Sequence, residues 1–171
     1  MATKNHDLSK NRAGTIDQPE KIKIGVIVSD WNAEITHKLL DACCETLMNV
    51  GIPSEQIQTI HVPGAFELPA GARMLDDRYN VDALICLGCV IKGETSHDEY
   101  INQAVANGLM QLGVLRSKPF IFGVLTTNDF TQAQERAGGT HGNKGVEAAH
   151  TAIKMIDLKK QMKSSTKTIG F

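Results

Sequence analysis

The sequence contains no long hydrophobic run. No stretch approaches the ~20 consecutive apolar residues of a membrane-spanning helix. Residues Met1 to Lys21 mix Lys, Asn, Asp, Gly and Pro, and lack the apolar centre of a secretory signal. The chain is therefore expected in the cytoplasm, where a reducing environment keeps thiols free. No charge sign dominates either: 18 Lys and Arg stand against 19 Asp and Glu, a net charge of −1. Without a basic face, neither nucleic acid nor an anionic membrane is an expected partner. An anionic ligand would have to be held by local donors.

Several signatures are missing as well. There is no Walker phosphate loop, no G-x-S-x-G nucleophile elbow, no G-x-G-x-x-G fingerprint and no internal repeat. His6, His37, His61, His97, His141 and His150 show no metal-ligand spacing, so no metal centre is expected. The cysteines are Cys43, Cys44, Cys86 and Cys89. Cys86-Leu87-Gly88-Cys89 is formally a C-x-x-C, but it lies in the apolar run Ala83 to Ile91. A three-residue separation on a strand sends the side chains to opposite faces. Both cysteines are therefore expected as inert core thiols.

What is present suits one globular domain. The chain has 171 residues, 42% hydrophobic and 22% charged. Residues Met1–Lys21 form a polar arm and Lys163–Phe171 a polar tail. Between them, Ile22–Ser29 is the first strand. Ile35, Leu39, Leu40, Cys43, Leu47 and Val50 follow at helical spacing and stop at Gly51. Gln56–Val62 is a second strand, Glu67–Tyr79 a helix, and Ala83–Ile91 a central strand apolar on both faces. His97–Leu115 is a helix, Phe120–Leu125 the fourth strand, and Thr131–Arg136 a short helix with cap candidates in Thr127-Asn128-Asp129. Gly138 to Asn143 is a loop, and Val146–Met162 the last helix.

Strand-helix alternation of this kind predicts right-handed crossovers and a parallel sheet. The expected fold is α/β: a three-layer α/β/α sandwich around a four-stranded parallel sheet, flavodoxin-like, in the order 2-1-3-4. Such sheets bind ligands beyond the carboxyl ends of their strands. The residues least suited to a core gather there. Asp30-Trp31-Asn32, Gly64-Ala65-Phe66-Glu67, Lys92 to His97 and Thr126 to Asp129 follow the four strands in turn.

Each candidate has a bland reading beside its functional one. Gly93-Glu94-Thr95-Ser96 at a helix start can cradle phosphate or can be an ordinary cap, and spacing alone leaves the two even. His97 can exchange protons near neutral pH, or be a surface histidine. Trp31 can stack on a heterocycle, although core packing alone is the better expectation. Glu67 can accept from hydroxyls, or merely favour a helix dipole. Arg136 and Lys144 suit phosphate, or are solvated cations.

Three strings occur together and in order: Val62-Pro63-Gly64-Ala65-Phe66-Glu67, Gly93-Glu94-Thr95-Ser96-His97 and Gly142-Asn143-Lys144-Gly145. With Phe120 to Thr127 and Glu135-Arg136-Ala137-Gly138, they make the chain resemble the 6,7-dimethyl-8-ribityllumazine synthase family from about Ile22 to Met162. The resemblance implies condensation of 5-amino-6-(D-ribitylamino)uracil with 3,4-dihydroxy-2-butanone 4-phosphate, without metal or redox cofactor. It implies that Trp31 stacks on the pyrimidine, that Ala65, Phe66 and Glu67 hold the ribityl chain, and that Cys89, Val90 and Ile91 line the pyrimidine edge. Glu94 and Thr95 would present backbone donors to the phosphate, and His97 would move protons. Phe122 and Arg136, with Lys144, would come from a neighbouring subunit of a pentamer, which in some members builds an icosahedral shell. Riboflavin synthase is a further partner the resemblance admits. Three alternatives remain open at this point: a non-enzymatic flavin-binding module, an archaeal-type riboflavin synthase, and an inactive shell protein.

Overall fold

A computed structural model describes residues 16–165 of the protein. The first strand, β1 (Ile24–Ser29), leads into α1 (Ala33–Asn49). Next come β2 (Ile57–Val62), α2 (Leu68–Tyr79), β3 (Ala83–Ile91) and α3 (His97–Arg116). The chain continues through β4 (Phe120–Thr127), α4 (Phe130–Glu135), the short strands β5 (Ala137–Gly139) and β6 (Gly142–Asn143), and α5 (Lys144–Ser165). The main sheet is wholly parallel, as the alternation predicts, and its order β2-β1-β3-β4 is that of the expected flavodoxin-like fold.

Side-chain alternation on the strands divides the core in two. Val26, Val28, Ile85, Leu87 and Cys89 face α1 and α5, where they meet Ile35, Leu39, Leu47, Ala149 and Ile153. Ile27, Leu84 and Cys86 face α2 and α3, against Leu68, Ala72, Leu75, Val105 and Leu109. Cys86 and Cys89 thus lie on opposite faces, and all four cysteines are free thiols. β3 is buried on both faces except at Ile91, so its composition is set by helices above and below. Full burial of a Leu or Ile side chain stabilises by about 1.5–3 kcal/mol, and this strand carries several.

The helix ends follow from local chemistry. Gly51 takes φ 94° just after α1, a conformation that glycine adopts without penalty. Asn80 and Ser117 end α2 and α3 in the left-handed region. Asp129 caps α4, its Oδ1 accepting from the Gln132 amide at 2.8 Å.

Several expectations need correction. Neither Thr95 nor Ser96 caps α3: Ser96 holds the cap position but makes no side-chain bond. The Gly138–Asn143 segment is a two-stranded antiparallel ribbon rather than a plain loop, because Ala137 and Gly139 pair with Asn143 and Gly142. β4 runs on to Thr127 in register with β3 as far as Ile91. α5 begins at Lys144 and reaches Ser165, into the stretch expected as tail. β1 starts at Ile24, since the Lys23 amide turns instead to Asp82 Oδ2 at 2.9 Å. Of the expected polar arm, Ile16 is buried against the α1–α5 face and Pro19–Lys21 forms a 3-10 turn. The remainder of the arm, and the tail beyond Ser165, lie outside the described residues.

Candidate active site

A cleft of about 580 Å³ opens where β1, β2 and β3 end. That volume is in the range of small-ligand sites. Trp31 and Asn32 line one wall, Pro63 to Glu67 the next, and Cys89, Val90, Ile91, Gly93, Thr95 and His97 the third. Trp31 is 70% exposed and Phe66 59%. Core packing, the better expectation for Trp31 from sequence alone, is therefore wrong. Two aromatic faces lie open around one opening.

Backbone bonds fix the Trp31 wall. The Asp30 and Trp31 amides donate to the carbonyls of Val62 and Pro63 at 2.8 and 3.1 Å, strapping the turn to the end of β2. Asn32 sits at φ 62°, which asparagine tolerates. From there its Nδ2 reaches the Cys89 carbonyl at 2.9 Å. One side chain thus joins the ends of β1 and β3. Sequence reasoning named the Asp30-Trp31-Asn32 turn but gave Asn32 no role. The available signal was its type, since Asn after a strand is a turn former with a free amide.

The second wall is the 3-10 turn Ala65–Glu67, closed by the Glu67 amide donating to Gly64 O at 3.3 Å. A methyl group at Gly64 would stand 3.1 Å from Glu67 Oε2. Glycine here leaves the carboxylate room to lie over the turn. Leu68 and Ala65 are buried beneath, so Phe66 and Glu67 are presented from a rigid base.

The third wall ends β3. Nothing lies within 4 Å of a Cβ placed on Gly93, so its main chain is open to approach. His97 is exposed at the first residue of α3, whose N-terminal field favours an anion. Asp98 and Glu99 follow in the same turn and oppose that field. Glu94 is exposed beside Gly93, but its side chain does not line the cleft.

Phe122 and Arg136 are not in this cleft. Phe122 lies on the edge strand β4, opposite Cys86 in the ladder, and borders a separate groove between α3 and α5. Arg136 donates from Nη1 to Gln132 O at 3.0 Å and borders a smaller cleft with His141, Lys144 and Glu147. Lys144 lines both and pairs with Glu147 at 2.8 Å.

Burial pushes the Cys89 thiol up to about 11, and raises Cys86 and Cys43 as well. At neutral pH Cys89 is a protonated, weakly polar part of the cleft wall, not a nucleophile. The histidines hold one surprise. His37 and His61 meet at Asp30, outside the cleft, although their spacing in the chain gave no sign of a ligand pair.

A sequence model of the 6,7-dimethyl-8-ribityllumazine synthase family matches residues 21–160. The chain belongs to that family. The synthase of that name from Parabacteroides distasonis is 44% identical over 158 residues, covering 92% of this chain and 99% of its own length. Its counterpart from Porphyromonas gingivalis is 45% identical over 160 residues, covering 94% and 99%. That from Cytophaga hutchinsonii is 47% identical over 156 residues, covering 91% and 98%. The family is one of enzymes, and nothing in these relationships favours a flavin carrier, a riboflavin synthase or an inactive shell protein. Among the described residues, no helix is long and apolar enough to cross a membrane.

Proposed function

We propose that the cleft between Trp31 and His97 is where the chain condenses 5-amino-6-(D-ribitylamino)uracil with 3,4-dihydroxy-2-butanone 4-phosphate to 6,7-dimethyl-8-ribityllumazine. One observation carries the assignment of the site: Trp31, Phe66, Glu67, Thr95 and His97, which come from three separate strand ends, line a single opening. The exposed indole offers a face to the pyrimidine. Ala65, Phe66 and Glu67 take the ribityl chain, with the Glu67 carboxylate accepting from its hydroxyls. The backbone at Val90 and Ile91 lines the pyrimidine edge. The Cys89 carbonyl already accepts from Asn32, so its share in that recognition is smaller.

The open main chain at Gly93, with the amides of Glu94 and Thr95, takes the phosphate. His97 stands beside it and moves protons. The amine and the ketone form an imine with loss of water, phosphate leaves, and ring closure releases a second water. Each step transfers protons, and the groups present can do that. Holding two reactants together supplies much of the acceleration.

Asp98 and Glu99 oppose a bound phosphate, and Arg136 of a neighbouring copy offsets their charge. Phe122 comes with it to cover the ring. The surface that would bring them is at hand. Val114, Met155 and Leu158 are exposed around a groove of about 850 Å³ that also includes Phe122 and Lys144. A contiguous apolar surface of this kind marks a contact between proteins. A second copy of the chain, within a pentamer, covers it. The free thiols suit a cytoplasmic enzyme.

The test is to incubate the purified protein with both substrates and follow lumazine fluorescence. Turnover that needs both substrates and falls sharply in Trp31→Ala supports the site. Turnover untouched in Trp31→Ala and Glu67→Ala together would sink it.

A further inference from the structure

Asp30, His37 and His61 come from three different elements. Asp30 opens the turn after β1, His37 lies in the second turn of α1, and His61 is near the end of β2. His61 Nδ1 stands 2.8 Å from Asp30 Oδ1, and His37 Nε2 stands 3.9 Å from the same oxygen. All three donor atoms fall within 4.8 Å of one another, the one such cluster among the described residues. The imidazole rings are 5.6 Å apart and nearly perpendicular, at 86°. They converge on the carboxylate edge-on and do not stack.

We propose that these three residues form a binding site for a zinc-class divalent transition metal, separate from the substrate cleft. Two imidazoles and a carboxylate are donors for zinc, copper or nickel, whereas magnesium and calcium prefer oxygen alone. A tetrahedral zinc with bonds of about 2.0–2.2 Å sets its ligands roughly 3.3–3.5 Å apart. The observed separations bracket that value, so small side-chain rotations bring the donors into place. Metal takes the place of the hydrogen bond between His61 Nδ1 and Asp30 Oδ1. The side chains are 48%, 56% and 46% exposed for His37, Asp30 and His61, which leaves water access to a fourth position. Among the described residues, no Lys or Arg is ion-paired with Asp30 to compete for its charge.

The bases of the site are firm. Asp30 is tied to Val62 by a 2.8 Å backbone bond, and the Thr36 hydroxyl, beside His37, donates to Ser29 O at 2.7 Å. A metal at this point ties the ends of β1 and β2 to α1. Asp30 immediately precedes Trp31, so the ion acts as a clamp behind the indole wall of the cleft. It takes no part in the condensation.

Full-length protein, freed of metal by a chelator, is titrated with Zn²⁺ against a chromophoric competitor, and with Co²⁺ and Cu²⁺ by absorption and by Trp31 fluorescence. Expected are one metal per chain, a visible Co²⁺ spectrum, quenching of Trp31 by Cu²⁺, a raised melting temperature with Zn²⁺, and no response to Mg²⁺. His37→Ala, His61→Ala and Asp30→Asn should each weaken Zn²⁺ at least 10-fold, whereas His141→Ala and His150→Ala should not. His37→Gln and His61→Gln provide the same comparison if alanine alters the circular dichroism. No saturable Zn²⁺ binding, or affinity unchanged when His37 and His61 are replaced together, overturns the proposal.

Discussion

Asn32 Nδ2 donates to the Cys89 carbonyl at 2.9 Å, and this bond ties the turn bearing Trp31 to the end of the central strand. The residue works in two ways, by holding φ 62° and by bridging two strands. Asn32→Gly keeps the backbone conformation and removes the bridge. We expect it to cost about 1 kcal/mol of stability and to weaken binding of the uracil substrate. Asn32→Ala should cost more, since alanine is strained at that φ. Thermal melts and substrate KM check both. Equal wild-type values in Asn32→Gly would show the bridge to be incidental.

Gly93 and Gly145 make a contrasting pair. A Cβ on Gly145 would collide with the Leu39 carbonyl where α5 packs against α1. Gly145→Ala should therefore destabilise by several kcal/mol, seen as a large fall in melting temperature. A Cβ on Gly93 meets nothing within the chain. Gly93→Ala should melt within about 0.5 kcal/mol of wild type. It should nevertheless raise KM for the phosphate substrate, because a methyl group would stand where the anion approaches the main chain.

Much of this is legible in the sequence. β3 matched residue for residue, because a strand buried on both faces is an unbroken apolar run between turn residues. The parallel sheet follows from alternation, and the strand-end rule points to the loops whose Trp31, Glu67 and His97 line one cleft. Other features were not legible. The β5–β6 ribbon is written in glycines, which read as loop whether or not their backbones pair. Residue type alone points Trp31 toward burial, because exposure is decided by what the opposite wall fails to cover. His37 and His61 lie 24 positions apart (61 minus 37) and meet only because β2 pairs with β1. No local spacing carries that information.

Cys89 gives a prediction in pH. Its thiol is held up to about 11 by burial, above the ordinary value of 9.0. The folded chain therefore retains a proton that the unfolded chain releases. This contribution to stability is complete below about pH 9 and is lost as pH rises through about 11. Cys86 and Cys43 act in the same direction. The melting temperature should fall between pH 9 and 11, and less steeply in Cys89→Ala. Around neutral pH, the turnover profile of Cys89→Ala should keep the wild-type shape, since the thiol transfers no proton there.

His97 and Arg136 should fail differently. His97→Ala is expected to lower kcat by about 10²-fold at most, because proton transfer is one contribution among several. Arg136→Ala should chiefly raise KM for the butanone phosphate, since charged hydrogen bonds to phosphate contribute roughly 1.5–3 kcal/mol each. Steady-state kinetics with each substrate varied in turn separates the two. An unchanged kcat for His97→Ala, or an unchanged KM for Arg136→Ala, would remove that residue from its role.

The most direct measurement is a crystal structure of the assembled protein with a ribityllumazine-type ligand. The ring should lie against Trp31, the ribityl chain along Phe66 and Glu67, and Phe122 and Arg136 of an adjoining copy should close over it. A ligand seated in the groove between α3 and α5, or a cleft reached by no neighbouring copy, would contradict this arrangement.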